Sequence, residues 1–115
     1  MPFVMIDLNT GDNRTFRVYV KNPDLDIVNL TGALCLFTVK TDKATSAITF
    51  QKSTAYPDQG EIGSPDQGEV FFYIVPEDTE SLAIRQYVFD IRVTLASGKT
   101  YTVLDGVIDL QKSVG

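Results

Sequence analysis

Gln86-Tyr87-Val88-Phe89-Asp90-Ile91-Arg92-Val93-Thr94-Leu95 places Tyr87, Phe89, Ile91, Val93 and Leu95 on one parity and Asp90, Arg92 and Thr94 on the other. Successive strand side chains point to opposite faces, so this period of two predicts a central strand with one face in the core. Immediately downstream, Ser97-Gly98 predicts a short turn into a second strand from Lys99 to Leu104. Asp105-Gly106 then reads either as another tight turn or as a bulge that bends one long last strand.

Upstream, Val70-Phe71-Phe72-Tyr73-Ile74-Val75 is an aromatic and β-branched run, and it predicts a strand from Glu69 to Val75. Thr15 to Lys21 sets Phe16, Val18 and Val20 against Arg17, Tyr19 and Lys21. Ala33 to Lys40 sets Cys35, Phe37 and Val39 against Thr38 and Lys40, with Leu34 and Leu36 on the second face. Ala47 to Lys52 is a shorter candidate. The one helical signal is Pro76 to Ile84, where Asp78 or Thr79 can cap a single turn. Short strands separated by turn signals every ten or so residues predict an all-β fold, an immunoglobulin-like antiparallel β-sandwich of about 7–8 strands. The acidic turn from Glu77 to Leu82, followed by Tyr87, looks like the corner between the fifth and sixth strands of such sandwiches. Phe89 stands where antibody domains carry a cysteine, and the chain has no Trp. Only the architecture is therefore shared with them.

A chain of 115 residues predicts a single domain over 1–115, with short arms over 1–10 and 111–115 that can pack on a neighbour. The absence of His removes histidine general bases and Ser-His or Cys-His nucleophile pairs. One cysteine, Cys35, allows no internal disulfide and no thiolate zinc cluster. No nucleophile elbow, phosphate loop or dinucleotide fingerprint occurs. The expectation is a protein that is not an enzyme and uses no cofactor. Ten basic against fifteen acidic residues, a net charge of -5, disfavour nucleic-acid binding. With no run of 18 apolar residues and no basic leader, no membrane partner is expected.

Charge is segregated along the chain: residues 53–84 hold seven acids and no Lys or Arg. Within them Pro57-Asp58-Gln59-Gly60-Glu61 repeats as Pro65-Asp66-Gln67-Gly68-Glu69. Two successive turns account for the repeat, and a calcium site built from Asp58, Glu61, Asp66 and Glu69 is the alternative. The acidic block also reads as a patch that docks onto a basic one carrying Arg14, Arg17 and Lys21 on a neighbouring copy. If Phe16, Phe37, Phe72 and Phe89 fill the core, then Leu34, Leu36, Phe71, Tyr73 and Val88 point outward, and clustered together they predict a protein interface. A binding module for carbohydrate or a cell-surface ligand, stacking on Tyr56, Tyr73 or Tyr101, is the rival.

Gly11-Asp12 before Arg14-Thr15-Phe16-Arg17-Val18-Tyr19-Val20, then Asn29-Leu30-Thr31-Gly32-Ala33 entering Leu36-Phe37-Thr38-Val39-Lys40, resembles the N-terminal module of tailed-bacteriophage baseplate upper proteins and related small phage and prophage virion proteins. Gly68-Glu69-Val70, Pro76-Glu77-Asp78-Thr79, Tyr87-Val88-Phe89-Asp90-Ile91 and Ser97-Gly98-Lys99 through Gly106 are similar to the second half of such modules. The resemblance spans about Gly11 to Leu110. It implies a structural part of a virion, assembled in the bacterial host cytoplasm from copies of itself and other virion proteins. The duplicated pentapeptide departs from the pattern and the fibre region that often follows is absent, which favours a small standalone subunit over a host-recognition protein.

Overall fold

The computed structural model describes residues 3–22, 24 and 26–112. Among the described residues eight strands form two sheets: β1 (Phe3–Asn9), β8 (Thr100–Gln111), β7 (Gln86–Thr94), β3 (Leu34–Lys40) and β4 (Phe50–Ser53) in one, and β2 (Arg14–Tyr19), β6 (Glu69–Ile74) and β5 (Gly60–Ile62) in the other. The two sheets pack as an all-β, immunoglobulin-like sandwich. The neighbours β3-β7-β8 and β2-β6-β5 occupy the places of strands C-F-G and B-E-D in that architecture.

The period of two did its work at β2, β3, β6 and β7. Val20, Cys35, Phe37, Val39, Val70, Phe72, Ile74, Tyr87, Phe89, Ile91 and Val93 are all buried, each on the parity read as inward. Phe37 is the hub, its ring 5.2 Å from Phe89, 5.5 Å from Phe72 and 5.9 Å from Phe16. These contacts join the two sheets, since Phe37 and Phe89 lie in the larger sheet and Phe16 and Phe72 in the smaller. The tyrosine corner is present: Tyr87, 4% exposed, donates its hydroxyl to the Ala83 carbonyl oxygen at 2.7 Å. Before it, α1 (Pro76–Thr79) is a single turn whose Asp78 carboxylate accepts the Val75 N–H at 2.8 Å.

The N-terminal segment differs from the arm expected over 1–10. Residues 3–9 form β1, which pairs in parallel with β8 from Phe3 opposite Asp105 to Asn9 opposite Gln111. Every other strand pairing among the described residues is antiparallel. Val4, Ile6 and Leu8 share the parity that turns toward the core, and Leu8 is 2% exposed. Gly106 makes this approach possible, because a Cβ there would overlap the Val4 carbonyl oxygen and press on the Phe89 ring. Asp105-Gly106 is consequently not a turn. The last strand runs unbroken to Gln111, and its irregularity lies at Val103, where the register against Ile91 and Arg92 slips by one residue. Of the C-terminal arm expected over 111–115, Gln111 ends β8 and residues 113–115 lie outside the described residues.

The two pentapeptide copies start alike and end differently. In each, a turn closes from the Gln N–H to the residue before Pro, Gln59 to Tyr56 at 2.9 Å and Gln67 to Ser64 at 3.0 Å. Gly60 then enters β5, whereas Gly68 takes φ 68 and closes a 3-10 turn over Pro65–Gln67. Gly68 sits against the Val20 and Val28 carbonyl oxygens, and the Pro65 carbonyl accepts the Leu30 N–H at 2.9 Å. The second copy thereby anchors the loop between β2 and β3, in which Leu30 is fully buried.

Candidate functional site

Alternation that buries Phe72 and Val70 turns Phe71 and Tyr73 to the outside of the three-stranded sheet. Register sets the rows across that face. Arg17 of β2 lies beside Phe71 of β6, which lies beside Glu61 of β5; Thr15 lies beside Tyr73, and Tyr19 beside Glu69. The Tyr73 hydroxyl donates to Glu61, and the Tyr19 hydroxyl donates to Glu69 at 3.2 Å. Glu69 also accepts the Ser64 N–H at 3.3 Å. The Arg17 guanidinium lies 5.3 Å from the centre of the Tyr19 ring, a cation-π contact. Among the described residues the ion pairs are Lys43 with Asp105 and Lys52 with Asp78, and Arg17 is in neither.

Five of the residues singled out from the sequence, Arg17, Glu61, Glu69, Phe71 and Tyr73, thus share one face. The others do not join them. Leu34, Leu36 and Val88 lie on β3 and β7 and face outward from the five-stranded sheet, the opposite side of the sandwich. Leu36 has Arg92 and Ser53 as its cross-strand neighbours, and Val88 has Lys40 and Val107. The single outward apolar patch over all five residues is therefore split in two. Parity distinguishes inside from outside but not one sheet from the other.

Arg14 also leaves the basic set. It has the parity of Phe16, its guanidinium leans on that ring at 5.5 Å, and it donates to the Asp7 carbonyl of β1 at 3.3 Å. Asp58 and Asp66 are exposed on the turn before β5 and on the 3-10 turn, while Glu61 and Glu69 are engaged by tyrosines. Among the described residues no three acids converge into a cluster able to hold a metal ion, and the repeat is a pair of turns. Tyr19 was missed as a site residue. Its signal was its place beside Arg17 on the polar parity of β2.

No protein-family model matches the chain. No curated protein matches it in sequence either.

The outer face of the larger sheet carries a shallow cleft of about 200 Å³ between Thr38, Lys40, Lys43, Asp90 and Asp105. Lys43 bridges it to Asp105 at 3.3 Å. Small-molecule sites run to roughly 300–1,000 Å³, so this cleft is below that class. Cys35 is a fully buried core side chain beside Val93, and burial pushes its thiol up to about 11, away from the thiolate form.

The hydrogen bond to Glu61 raises the Tyr73 hydroxyl above its ordinary value of 10.0, with desolvation and the negative charge of Glu61 adding to it. A group with a raised folded value contributes stability that is fully present below its unfolded value and is lost as pH rises through the folded one. Tyr73→Phe is therefore expected to flatten the fall in stability above about pH 10, where an unperturbed tyrosine ionises. Urea unfolding of both proteins from pH 8 to 11 checks this. Parallel profiles would mean that Glu61 does not hold the proton.

Proposed function

We propose that this protein is a non-enzymatic structural subunit of a tailed-phage virion, in its baseplate, tail, neck or head decoration, working through protein-protein contacts. The supporting observation is the β2-β6-β5 face, where Arg17, Tyr19, Phe71 and Tyr73 sit in adjoining rows flanked by Glu61 and Glu69. Aromatics and arginine on a rigid flat surface are the residues that protein interfaces concentrate. The resemblance to baseplate upper protein modules supports the same reading, with the virion as the place where the protein would act. The carbohydrate-binding alternative draws less support. Tyr56 lies in the loop after β4, Tyr73 on β6 and Tyr101 on β8, three separate elements, and the Tyr73 hydroxyl is already bound to Glu61.

The test is mass spectrometry of particles purified from cells producing the phage that encodes the chain. The expected result is this protein at a fixed copy number per particle; a chain found only in the soluble fraction would overturn the reading. Phe71→Asp and Tyr73→Asp are each expected to leave the monomer folded, by far-UV circular dichroism, and to reduce incorporation into particles at least tenfold.

A further inference from the structure

The middle row of this face is basic on one flank, aromatic at its centre and acidic on the other: Arg17, Phe71, Glu61. Strands lie about 4.8 Å apart, so Arg17 and Glu61 start from backbones nearly 10 Å apart with the Phe71 ring between them. The charges stay separate within the chain. Arg17 stacks on Tyr19, and Glu61 holds the Tyr73 hydroxyl. We propose that this face docks on the same face of a second copy of the chain, about a twofold axis running along β6 through Phe71. The inference rests on reading the face as an assembly surface.

Charge selects the axis. Turning a copy by half a revolution about a line along β6 exchanges the flanks, so Arg17 meets the partner's Glu61 and Glu61 meets the partner's Arg17. Phe71 then packs on the partner's Phe71 at the centre. A twofold across the strands would instead oppose Arg17 to the partner's Arg17 and Glu61 to the partner's Glu61, two like-charge contacts that repel. The favoured arrangement is isologous and closes at two copies, as a twofold interface does. Glu69 is the acid nearest the axis. Its two oxygens are engaged within the chain by Tyr19 and Ser64, which satisfies its carboxylate where it approaches the partner's Glu69. Lys21 continues the basic flank beyond Tyr19 on the same parity, and it is exposed.

Size sets the strength. Two six-residue strands and the three-residue β5 present a face of at most about 14 by 20 Å, under roughly 300 Å² per copy. Stable dimers bury about 800 Å² per partner, so the pair is a weak contact that a symmetric array reinforces through many copies. The protein is expected to be monomeric when dilute and to dimerise only at high concentration.

Sedimentation velocity from about 10 μM to 1 mM tests this on the wild type, Arg17→Glu, Glu61→Arg and the double exchange. The wild type is expected to shift reversibly toward a dimer, more weakly in 1 M salt than in 0.05 M. Each single exchange should weaken association at least tenfold, and the double exchange should restore it by rebuilding both pairs. Arg17 and Glu61 are exposed, so circular dichroism should report folded variants throughout. A wild type that stays monomeric at 1 mM overturns self-docking, and so does a folded double exchange that behaves like the singles. Either result leaves the assembly reading standing if Phe71→Asp still fails to enter particles. Normal incorporation of Phe71→Asp would overturn the assembly reading itself.

Discussion

Phe37→Ala is expected to destabilise the protein by about 3–5 kcal/mol, the usual cost of emptying a phenylalanine site in a packed core. Phe37 is fully buried, and its ring contacts Phe16, Phe72 and Phe89. Truncation removes aromatic pairs each worth about 0.5–1.5 kcal/mol beyond area, and it does so on both sides of the sandwich. The cavity cannot collapse cheaply, because its walls belong to β2, β3, β6 and β7, each fixed by its own hydrogen-bonded ladder. A domain of this size has about 5–15 kcal/mol in all, so the variant should sit near the threshold of unfolding at 37 °C. Urea titration checks it: the midpoint should fall with little change in slope. Phe37→Leu, which keeps most of the volume, should lose less than half as much. Equal losses would mean that ring stacking, and not volume, holds the sheets together.

This core was legible because burial on one face only leaves a period-two trace, and Phe16, Phe37, Phe72 and Phe89 all carry it. β1 shows the limit of that trace. Phe3, Val4, Met5 and Ile6 are apolar on both parities, which hides the alternation that Val4, Ile6 and Leu8 carry. The parallel pairing with β8 depends on Gly106, about a hundred residues away, and no local pattern encodes it. The candidate face was half legible for the same reason. Outward parity picked out Phe71 and Tyr73 correctly, but it also picked out Leu34, Leu36 and Val88, which topology sends to the other sheet. The charge segregation noticed in the sequence takes a spatial form the sequence did not specify: Arg17 and Glu61 end on two edges of one sheet, an aromatic ring apart.

Lys52 is the residue that sequence reading passed over, and its pairing yields the second large effect. It lies on β4 opposite Phe37, on the inward parity, where a lysine side chain finds no water. Its ammonium meets the Asp78 carboxylate at 2.7 Å, with 7% and 15% of the two side chains exposed. That carboxylate also accepts the Val75 N–H that opens α1, so one acid caps the turn and neutralises the buried cation. Asp78→Ala should therefore cost about 3–5 kcal/mol, since it strands a charge and leaves a backbone donor without its acceptor. Lys52→Met should cost less: the stem is replaced by one of similar length, and Asp78 keeps its backbone donor and partial access to water. Combining Lys52→Met with Asp78→Asn, which retains an acceptor for Val75, should recover most of the loss, because well-packed apolar groups replace buried ion pairs at little net cost. A double-mutant cycle by urea unfolding over Lys52→Met, Asp78→Asn and their combination separates the terms. A coupling energy near zero would mean that the pair is solvated and that Asp78 acts only as the cap of α1. A coupling of about 2 kcal/mol or more would make this ion pair the tie between β4 and the turn that leads into the tyrosine corner, linking the larger sheet to the connection that crosses into it from β6.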